Sequence, residues 1–312
     1  MNTYTVLVTA RSFAKGNAEP LELLEKAACT VIRPKDDADL RARLPDADGI
    51  IAGLETYDAA LLARAAKLKI ISRYGVGYDA IDLDAAHKRG IKVAFTPGAN
   101  SDSVADLAMT LMLAAARHVP YMDAAIKSGK QDRPQGVEMW RKTLGIIGTG
   151  RIGKGVIKRA SGFEMKFLCY DTYKDESFVS SLGGKYVDPD TLYRQSDFIT
   201  IHSPLNDETR GMISAAEFKK MKPTAVIVNT ARGGIIDEAA LADALKAGVI
   251  GAAALDATVE EPPYGSPLCG LPNCILSPHA GAATAEAAYN MGMLAVRNLL
   301  AVLETGSCDN LV

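Results

Sequence analysis

The stretch LGIIGTGRIGKG, residues 144–155, decides the fold of this chain. A short apolar run leads into Gly148, Gly150 and Gly153, spaced as G-x-G-x-x-G, and then into residues that can form a helix. The first glycine permits a tight turn, the second lets a pyrophosphate approach the backbone, and the third lets helix and strand pack closely. The free N–H groups of the helix N-terminus would then meet phosphates. The pattern predicts a dinucleotide-binding βαβ unit.

An acidic residue follows the glycine loop at a suitable distance. Asp171 ends the next predicted strand, FLCYD, eighteen residues after Gly153. A carboxylate there accepts hydrogen bonds from the adenosine ribose hydroxyls and repels a 2′-phosphate, which favours NAD over NADP. Enzymes that use S-adenosylmethionine also combine a glycine loop with an acid at a strand end, so the loop alone leaves the cofactor open.

Strand-like and helix-like segments alternate along the whole chain on both sides of this loop. The alternation predicts an α/β fold of two doubly wound units, each a parallel sheet with helices on both faces. The first unit covers residues 1–98, with the strands YTVLVTA, CTVIR, GIIAGL, KIISRYG and IKVAFTPG. A long helical region from Asp102 to about Lys127 and a polar loop, SGKQDRPQG, precede the glycine loop. An apolar helix from about Ala285 to Leu303 closes the chain and could complete either unit.

Composition limits the classes of protein to consider. A chain of 312 residues is expected to form two domains, and its net charge of −2 gives no reason to propose nucleic acid or an anionic membrane as a partner. The N-terminus lacks the pattern of a signal peptide, and no apolar stretch of about 20 residues predicts a membrane span. The five cysteines are scattered without a C-x-x-C pair, which indicates reduced thiols in the cytoplasm and no metal site.

Three chemically useful groups follow three strands of the second unit. Arg232 follows AVIVNT, the pair Glu260 and Glu261 follows GAAALDA, and His279 follows CILSP. Because parallel strands end at one edge of a sheet, these side chains are expected beside the cofactor. Arginine can hold a carboxylate in a bidentate fork, histidine can move a proton, and a glutamate behind the histidine fixes its tautomer. With a hydride carrier, this set suits the reversible oxidation of a 2-hydroxy acid.

The other three histidines give weaker signals. His87 and His118 lie in predicted helices and are interpreted as surface or interface residues. His202 ends the strand of TIHSPL near the cofactor edge and is interpreted as a residue that orients the backbone.

Several motifs together resemble the D-isomer-specific 2-hydroxyacid dehydrogenases. They occur in family order over essentially the whole chain: RYGVGYDAIDL, TPGANSDSVADLAMTLML, LGIIGTGRIG, ITIHSPL, VIVNTARGGIID, ALDATVEEPP and LSPHAGAAT. The branch resembled contains 3-phosphoglycerate dehydrogenase and glyoxylate/hydroxypyruvate reductase. The resemblance implies a flavodoxin-like substrate domain of residues 1–98 and 286–312, a Rossmann NAD-binding domain of residues 99–285, and an active site in the cleft.

The resemblance also implies roles for individual residues. Catalysis falls on Arg232, Glu261 and His279, with Glu261 rather than Glu260 at the family position. The expected NAD contacts are Gly148, Gly150, Arg151, Ile152, Gly153, Asp171, Ser203, Thr230, Ala231, Asp256 and Gly281. The expected substrate contacts are Tyr74, Gly75, Val76 and Gly77, with Asn100 in the hinge motif. Family members are usually homodimers through the NAD-binding domains, and the long helix and the SGKQDRPQG arm match that interface.

Some positions depart from the family pattern. Asp106 stands where a glutamate is common, Ala80 where an asparagine is common, and ATVEEPP replaces the usual sequence beside Glu261. AGLET stands where phosphoglycerate dehydrogenases often carry an arginine, so one anchor for a phosphorylated substrate is missing. Glyoxylate, hydroxypyruvate, 3-phosphohydroxypyruvate and larger oxo acids all remain open. An alternative is an NAD-sensing relative that binds other proteins, as the C-terminal binding proteins do, without metabolic turnover.

Overall fold

A computed structural model describes residues 3–312 of the chain. The contacts divide it into two compact units: one holds the residues up to Asn100 together with Ala282–Val312, and the other is Ser101–Gly281. The sequence interpretation places the corresponding limits after residues 98 and 285, and these limits stay a prediction.

The first unit is built on a five-stranded parallel sheet. Its strand order is β2-β1-β3-β4-β5, the order of flavodoxin-like folds. The strands are β1 (Thr5–Val8), β2 (Thr30–Ile32), β3 (Gly49–Ala52), β4 (Ile70–Arg73) and β5 (Lys92–Ala94). The helices between them are α1 (Glu19–Lys26), α2 (Asp37–Arg43), α3 (Ala59–Leu62) and α4 (Leu83–Lys88), and the unit is completed by the last helix of the chain, α12 (Ala285–Thr305).

Local sequence explains these elements. The strand β3, with the sequence GIIA, is buried along its whole length, as expected of a central parallel strand covered on both faces. Asp36, Asp58 and Asp82 each accept a backbone amide at the start of α2, α3 and α4, which satisfies one of the unpaired donors of a helix N-terminus. The helix α12 packs on this sheet, since Ser72 of β4 donates to the Ala295 carbonyl at 2.8 Å.

The second unit is built on a seven-stranded parallel sheet of order β12-β11-β10-β9-β6-β7-β8. The strand order reverses between β6 and β9, and this is where ligands bind in doubly wound sheets. The strands are β6 (Thr143–Ile147), β7 (Lys166–Tyr170), β8 (Lys185–Tyr186), β9 (Phe198–Ile201), β10 (Val226–Asn229), β11 (Ala252–Leu255) and β12 (Cys274–Leu276). The helices are α5 (Ser101–Ala116), α6 (Val119–Lys127), α7 (Arg151–Ala160), α8 (Glu176–Ser181), α9 (Pro189–Gln195), α10 (Ala215–Phe218) and α11 (Glu238–Lys246). The predicted α/β class with two parallel sheets is confirmed.

Two details differ from the sequence interpretation. The helical region expected from Asp102 to Lys127 is two helices, α5 and α6, because His118 between them adopts a left-handed conformation with φ 52° and Pro120 begins the next helix. His118 therefore caps a helix rather than lying inside one. The two-residue strand β8 was not anticipated, because so short a segment carries no hydrophobic period.

The described residues show neither a membrane-spanning helix nor a cluster of metal ligands. No helix in the described part of the chain combines the length and apolar character that a membrane crossing requires. Residues 3–312 contain no group of three or more His, Cys, Asp or Glu side chains arranged to hold a metal ion. All five cysteines are free thiols.

Candidate active site

The glycine loop lies between β6 and α7. Gly148 has φ +92°, and a Cβ there would lie 2.7 Å from the His202 carbonyl carbon. A Cβ on Gly153 would lie 2.1 Å from the Gly148 oxygen, so helix and strand touch through this position. Around Gly150 no atom of the described chain lies within 4 Å of where a Cβ would be, which leaves room above the backbone.

This loop fits the diphosphate of a dinucleotide. Gly150 is the N-cap of α7 and supplies no side-chain cap, so the first amides of the helix, which include those of Arg151 and Ile152, keep their donors for a ligand. The predicted residues Gly148, Gly150 and Gly153 all lie in this loop or in the first turn of α7. The residues present therefore fit NAD at this end of the sheet.

Asp171 lies at the carboxyl end of β7, next to the glycine loop. Its Oδ2 accepts the backbone amide of Thr149 at 2.5 Å and the Thr149 hydroxyl at 3.1 Å, and its Oδ1 accepts the amide of Tyr173 at 2.8 Å. A carboxylate offers about four acceptor positions. Asp171 therefore holds the glycine loop in place and still has capacity for a ribose hydroxyl.

The end of β9 brings His202 and Ser203 against the glycine loop. His202 Nε2 lies 2.9 Å from the Thr200 hydroxyl, and Nδ1 lies 3.4 Å from the Thr230 hydroxyl. Burial lowers the pKa of the His202 imidazole to about 3, so the ring is neutral near pH 7. A neutral histidine in contact with two threonine hydroxyls links the ends of β9 and β10.

Arg232 lies on the turn after β10, which Asn229 holds from beneath. Asn229 is fully buried; its Nδ2 donates to the Arg232 carbonyl at 2.8 Å and its Oδ1 accepts the Ala231 amide at 3.0 Å. The Arg232 Nη1 donates to the Ala231 carbonyl at 2.8 Å. A Cβ on Gly233 would lie only 2.1 Å from the Thr258 carbonyl carbon, so this turn packs directly on the loop after β11. Sequence reasoning did not identify Asn229, although VIVN ends a strand with an amide.

Glu261 and His279 form a direct pair. The imidazole Nδ1 lies 2.8 Å from Glu261 Oε2 and 3.0 Å from Oε1. The two side chains are 38% and 40% exposed, so the pair is open to a ligand. An ionised carboxylate can only accept hydrogen bonds, so Nδ1 is the nitrogen that donates to Glu261, and Nε2 is left to exchange a proton with a ligand. The side chain of neighbouring Glu260 is not part of this pair.

Asp256 holds the loop that carries His279. It is 3% exposed, and its Oδ1 accepts the Ser277 hydroxyl at 2.6 Å and the Ala280 amide at 2.7 Å, while Oδ2 accepts the Gly281 amide at 2.8 Å. The Asp256 carbonyl accepts the amide of His279 at 3.0 Å, and His279 itself is left-handed with φ 53°. Asp256 and Gly281, both expected as cofactor contacts, thus bond to each other, and the carboxylate orients the histidine loop.

The expected substrate loop belongs to the first unit and follows β4. The Tyr74 amide donates to the Ala52 carbonyl at 3.0 Å, and the Gly75 amide donates to the buried Thr96 hydroxyl at 3.1 Å. Gly75 has φ +147°, which a side chain rarely adopts. Val76 and Gly77 continue the turn and are half-buried.

Asn100 is the last residue of the first unit before the chain enters α5. Its Oδ1 is buried and has no hydrogen-bond partner within residues 3–312. An amide oxygen in this condition is an acceptor available to a donor from a ligand.

Comparison with known proteins agrees with this geometry. Residues 109–281 match the family model described as D-isomer specific 2-hydroxyacid dehydrogenase, NAD binding domain. This match contains the glycine loop, the three groups at the strand ends and the loop of His279.

Individual relatives cover most of the chain. The chain is 45% identical over 266 residues to the D-3-phosphoglycerate dehydrogenase of Archaeoglobus fulgidus, covering 84% of this chain and 50% of that protein. It is 45% identical over 267 residues to the glyoxylate reductase of Thermococcus litoralis, covering 83% of this chain and 81% of that protein. The crystal structure of a glyoxylate reductase from Paecilomyes thermophila superposes with a TM-score of 0.88 at 32% identity, covering 100% of this chain and 99% of the other. The chain spans about half the length of the phosphoglycerate dehydrogenases it matches.

Proposed function

Because the chain belongs to the D-isomer-specific 2-hydroxyacid dehydrogenase family, we propose that it is an NAD-dependent oxidoreductase that interconverts a D-2-hydroxy acid and its 2-oxo acid. The observation that carries this proposal is the pair formed by His279 and Glu261 on the same sheet edge as the glycine loop. Glu261 fixes the tautomer of the neutral imidazole, so that Nε2 can take up a proton and give it up again as a general base and acid.

The cofactor is NAD, held at the glycine loop of the second unit. When bound, NAD supplies a nicotinamide that accepts or donates the hydride. The first amides of α7 would hold the diphosphate, and Asp171 would accept a ribose hydroxyl and repel the 2′-phosphate of NADP. Ser203, Thr230 and Ala231 lie at the ends of β9 and β10, and we assign to them the remaining contacts along the cofactor.

The chain's own residues move the proton and hold the substrate. In the reductive direction His279 Nε2 gives a proton to the carbonyl oxygen of the 2-oxo acid, and in the oxidative direction it takes the hydroxyl proton. Glu261 stabilises the imidazolium, which is present before proton donation in reduction and after proton abstraction in oxidation. The planar guanidinium of Arg232 binds the carboxylate and polarises the carbonyl.

We assign the remaining substrate contacts to the first unit, as its substrate domain. The backbone of Tyr74–Gly77 would hold the substrate carboxylate, and Asn100, the residue of the hinge motif, is assigned to the same substrate contacts. The relatives named glyoxylate reductase and hydroxypyruvate reductase support a short 2-oxo acid, and those named phosphoglycerate dehydrogenase support a phosphorylated one.

A panel of 2-oxo acids with NADH tests this function. Glyoxylate, hydroxypyruvate, 3-phosphohydroxypyruvate and larger oxo acids are each mixed with enzyme and NADH, and NADH absorbance is followed. At least one is expected to be reduced with kcat/KM of about 10⁴ M⁻¹ s⁻¹ or more, the ordinary range for enzymes, and chiral chromatography should find the D-isomer of the product.

Two neighbouring glutamates provide a matched pair of variants for the same assay. Glu261→Gln removes the charge that fixes His279 and should lower kcat by on the order of 10²-fold. Glu260→Gln makes the same change one residue away and should leave kcat within about twofold of wild type. Equal effects of the two changes, or no reduction of any 2-oxo acid by a wild-type protein that binds NADH, would overturn the proposal.

We also propose that the enzyme is a homodimer through its NAD-binding units and works in the cytoplasm. Several large apolar side chains on α5, on α6 and in the segment between α6 and β6 are exposed, and exposed apolar side chains in such a region suit an interface: Leu113, Val119, Ile126 and Trp140. Free thiols at all five cysteines suit a reducing compartment. Sedimentation equilibrium should give twice the chain mass, and Ile126→Lys should shift it towards the monomer; a wild-type monomer at micromolar concentration would rule out the dimer.

A further inference from the structure

A carboxylate lies at the carboxyl edge of the first unit's sheet, where the sequence GLET (residues 53–56) follows β3. The expected substrate loop begins at the same place, since the Tyr74 amide donates to the carbonyl of Ala52, the last residue of β3. Ligands of open α/β sheets bind at this edge. Glu55 is therefore a charged group on the edge to which we assign the substrate.

The carboxylate of Glu55 folds back over Gly53. A Cβ on Gly53 would lie 2.7 Å from Glu55 Oε2 and 3.1 Å from Oε1, so the carboxylate occupies the space that a side chain at position 53 would fill. Among the described residues, Glu55 Oε2 is buried and has no hydrogen-bond partner. A buried acceptor without a donor is unfavourable and is rare in folded proteins. A donor from a bound ligand would remove that cost.

The nearest polar groups on this edge are already paired with each other. The Thr9 hydroxyl accepts the Gly53 amide at 2.9 Å and lies 2.9 Å from the Tyr57 hydroxyl. Burial raises the pKa of the Tyr57 hydroxyl; the negative charge of Glu55 acts in the same direction and the positive charge of Arg73 in the opposite one. Tyr57 is therefore a neutral phenol that lies within the electrostatic reach of both charges.

Arg73 does not turn this edge into a phosphate site. Its Nη1 donates to the carbonyl of Ala52 at 3.3 Å and to the carbonyl of Tyr74, and its guanidinium lies 2.9 Å from where a Cβ on Gly75 would be. The guanidinium is thus engaged with the backbone of the loop. Glu55 Oε2, beside Gly53, is the buried acceptor on this edge that has no partner among the described residues.

We propose that Glu55 determines which group the 2-oxo acid carries on C3, accepting a hydrogen bond from a hydroxyl and excluding a phosphate. This inference rests on the proposed function, since it concerns the substrate of the same enzyme. A hydroxyl donates to Oε2 and satisfies it, whereas a phosphate dianion brings like charge to a half-buried carboxylate. The substrate class that fits is a small 2-oxo acid with a neutral hydrogen-bond donor on C3.

The test compares three substrates that differ only at this position. Glyoxylate has no C3 group, hydroxypyruvate has a hydroxyl, and 3-phosphohydroxypyruvate has a phosphate. We expect wild-type enzyme to show kcat/KM for hydroxypyruvate at least about 100-fold above that for the phosphorylated acid. Glu55→Gln keeps the shape and removes the charge, and should raise the ratio of phosphorylated to hydroxylated substrate by about tenfold, while glyoxylate changes by less than about twofold.

A control separates this effect from a change in net charge. Glu25 is an exposed residue of α1, and Glu25→Gln should leave all three kcat/KM values as in wild type. Glyoxylate turnover reports that the Glu55 variant is folded and catalytically intact. An unchanged substrate ratio in Glu55→Gln, or a wild-type preference for the phosphorylated acid, would overturn the role of Glu55 alone. Failure of wild-type enzyme to reduce these three acids, while a larger 2-oxo acid is reduced, would also overturn this inference alone. Failure with every 2-oxo acid of the panel would overturn the proposed function and this inference with it.

Discussion

Replacing Asp256 by asparagine should loosen the loop that carries His279. The Asp256 carboxylate accepts three hydrogen bonds from that loop, at 2.6, 2.7 and 2.8 Å. Asparagine has a single oxygen, which can keep the two donors on Oδ1, the Ser277 hydroxyl and the Ala280 amide. Its NH₂ group would then face the amide of Gly281, so that one bond is lost and two donors oppose each other.

The size of the effect follows from these contacts. Hydrogen bonds to a charged acceptor contribute about 1.5–3 kcal/mol and neutral ones about 1 kcal/mol, so two weakened bonds and one lost bond come to about 3 kcal/mol in the closed loop. If half or more of this stabilisation is lost in the transition state for proton transfer by His279, kcat falls by about 10–100-fold, since each 1.4 kcal/mol corresponds to a factor of ten in rate. Ser277→Ala is the matched control: it removes one of the three bonds and should cost no more than about tenfold.

Two measurements report the change independently. Steady-state oxidation of NADH gives kcat, and hydrogen exchange of the segment 277–281 gives the stability of the loop. In Asp256→Asn, kcat should fall and the amides of Ala280 and Gly281 should exchange faster than in wild type. A variant with kcat within twofold of wild type and unchanged exchange would refute the positioning role of this carboxylate.

Three further outcomes follow from the structure. Asp171→Ala should raise kcat/KM with NADPH relative to NADH by about tenfold or more, because a like charge beside the 2′-phosphate is removed; an unchanged ratio would reject the ribose assignment. Gly150→Ala should weaken NADH binding and leave the midpoint of urea unfolding near wild type. Gly153→Ala should lower that midpoint, because a Cβ on Gly153 would lie 2.1 Å from the Gly148 oxygen, whereas a Cβ on Gly150 meets no atom of the described chain. The opposite pattern would contradict the assignment of this loop to the diphosphate. In the unfolded chain His202 takes up a proton below about pH 6.5, whereas in the folded chain its pKa is about 3. The free energy of unfolding therefore falls as the pH is lowered from about 6.5 towards 3, by up to about 1.4 kcal/mol per pH unit. His202→Asn should lack that contribution in urea unfolding between pH 6.5 and 4.5, and parallel pH profiles for the two proteins would contradict it.

Topology and the phosphate loop could be predicted from the sequence because their signals are local. Central parallel strands are continuous apolar runs, as FITI and AAAL are, and both are fully buried. The positions of Arg232, Glu261 and His279 after three strands of one sheet follow from the alternation of strands and helices in the sequence. The break at His118 also has a local signal, since RHVP contains a proline, which fits the first turn of a helix but disrupts a helix interior.

The partners of buried polar groups could not be predicted from the sequence. The resemblance implies that Asp256 contacts the cofactor, and this stays a prediction; what the sequence does not show is that its carboxylate accepts from donors 21–25 positions later in the chain. Asn229 clamps the turn of Arg232 through two bonds that only the folded turn creates. The free Oε2 of Glu55 is likewise visible only when its neighbours are in place. Such pairings are decided by tertiary packing, which sequence periodicity does not encode.

The central claim is that His279 moves the proton, and one pair of measurements on His279→Ala tests it most directly. The variant keeps the glycine loop and Asp171, so its dissociation constant for NADH should stay within about threefold of wild type. Its kcat for the best 2-oxo acid should fall by on the order of 10²–10⁴-fold, the usual contribution of a general acid–base residue. Retention of near-wild-type kcat by a folded variant that binds NADH would contradict the account.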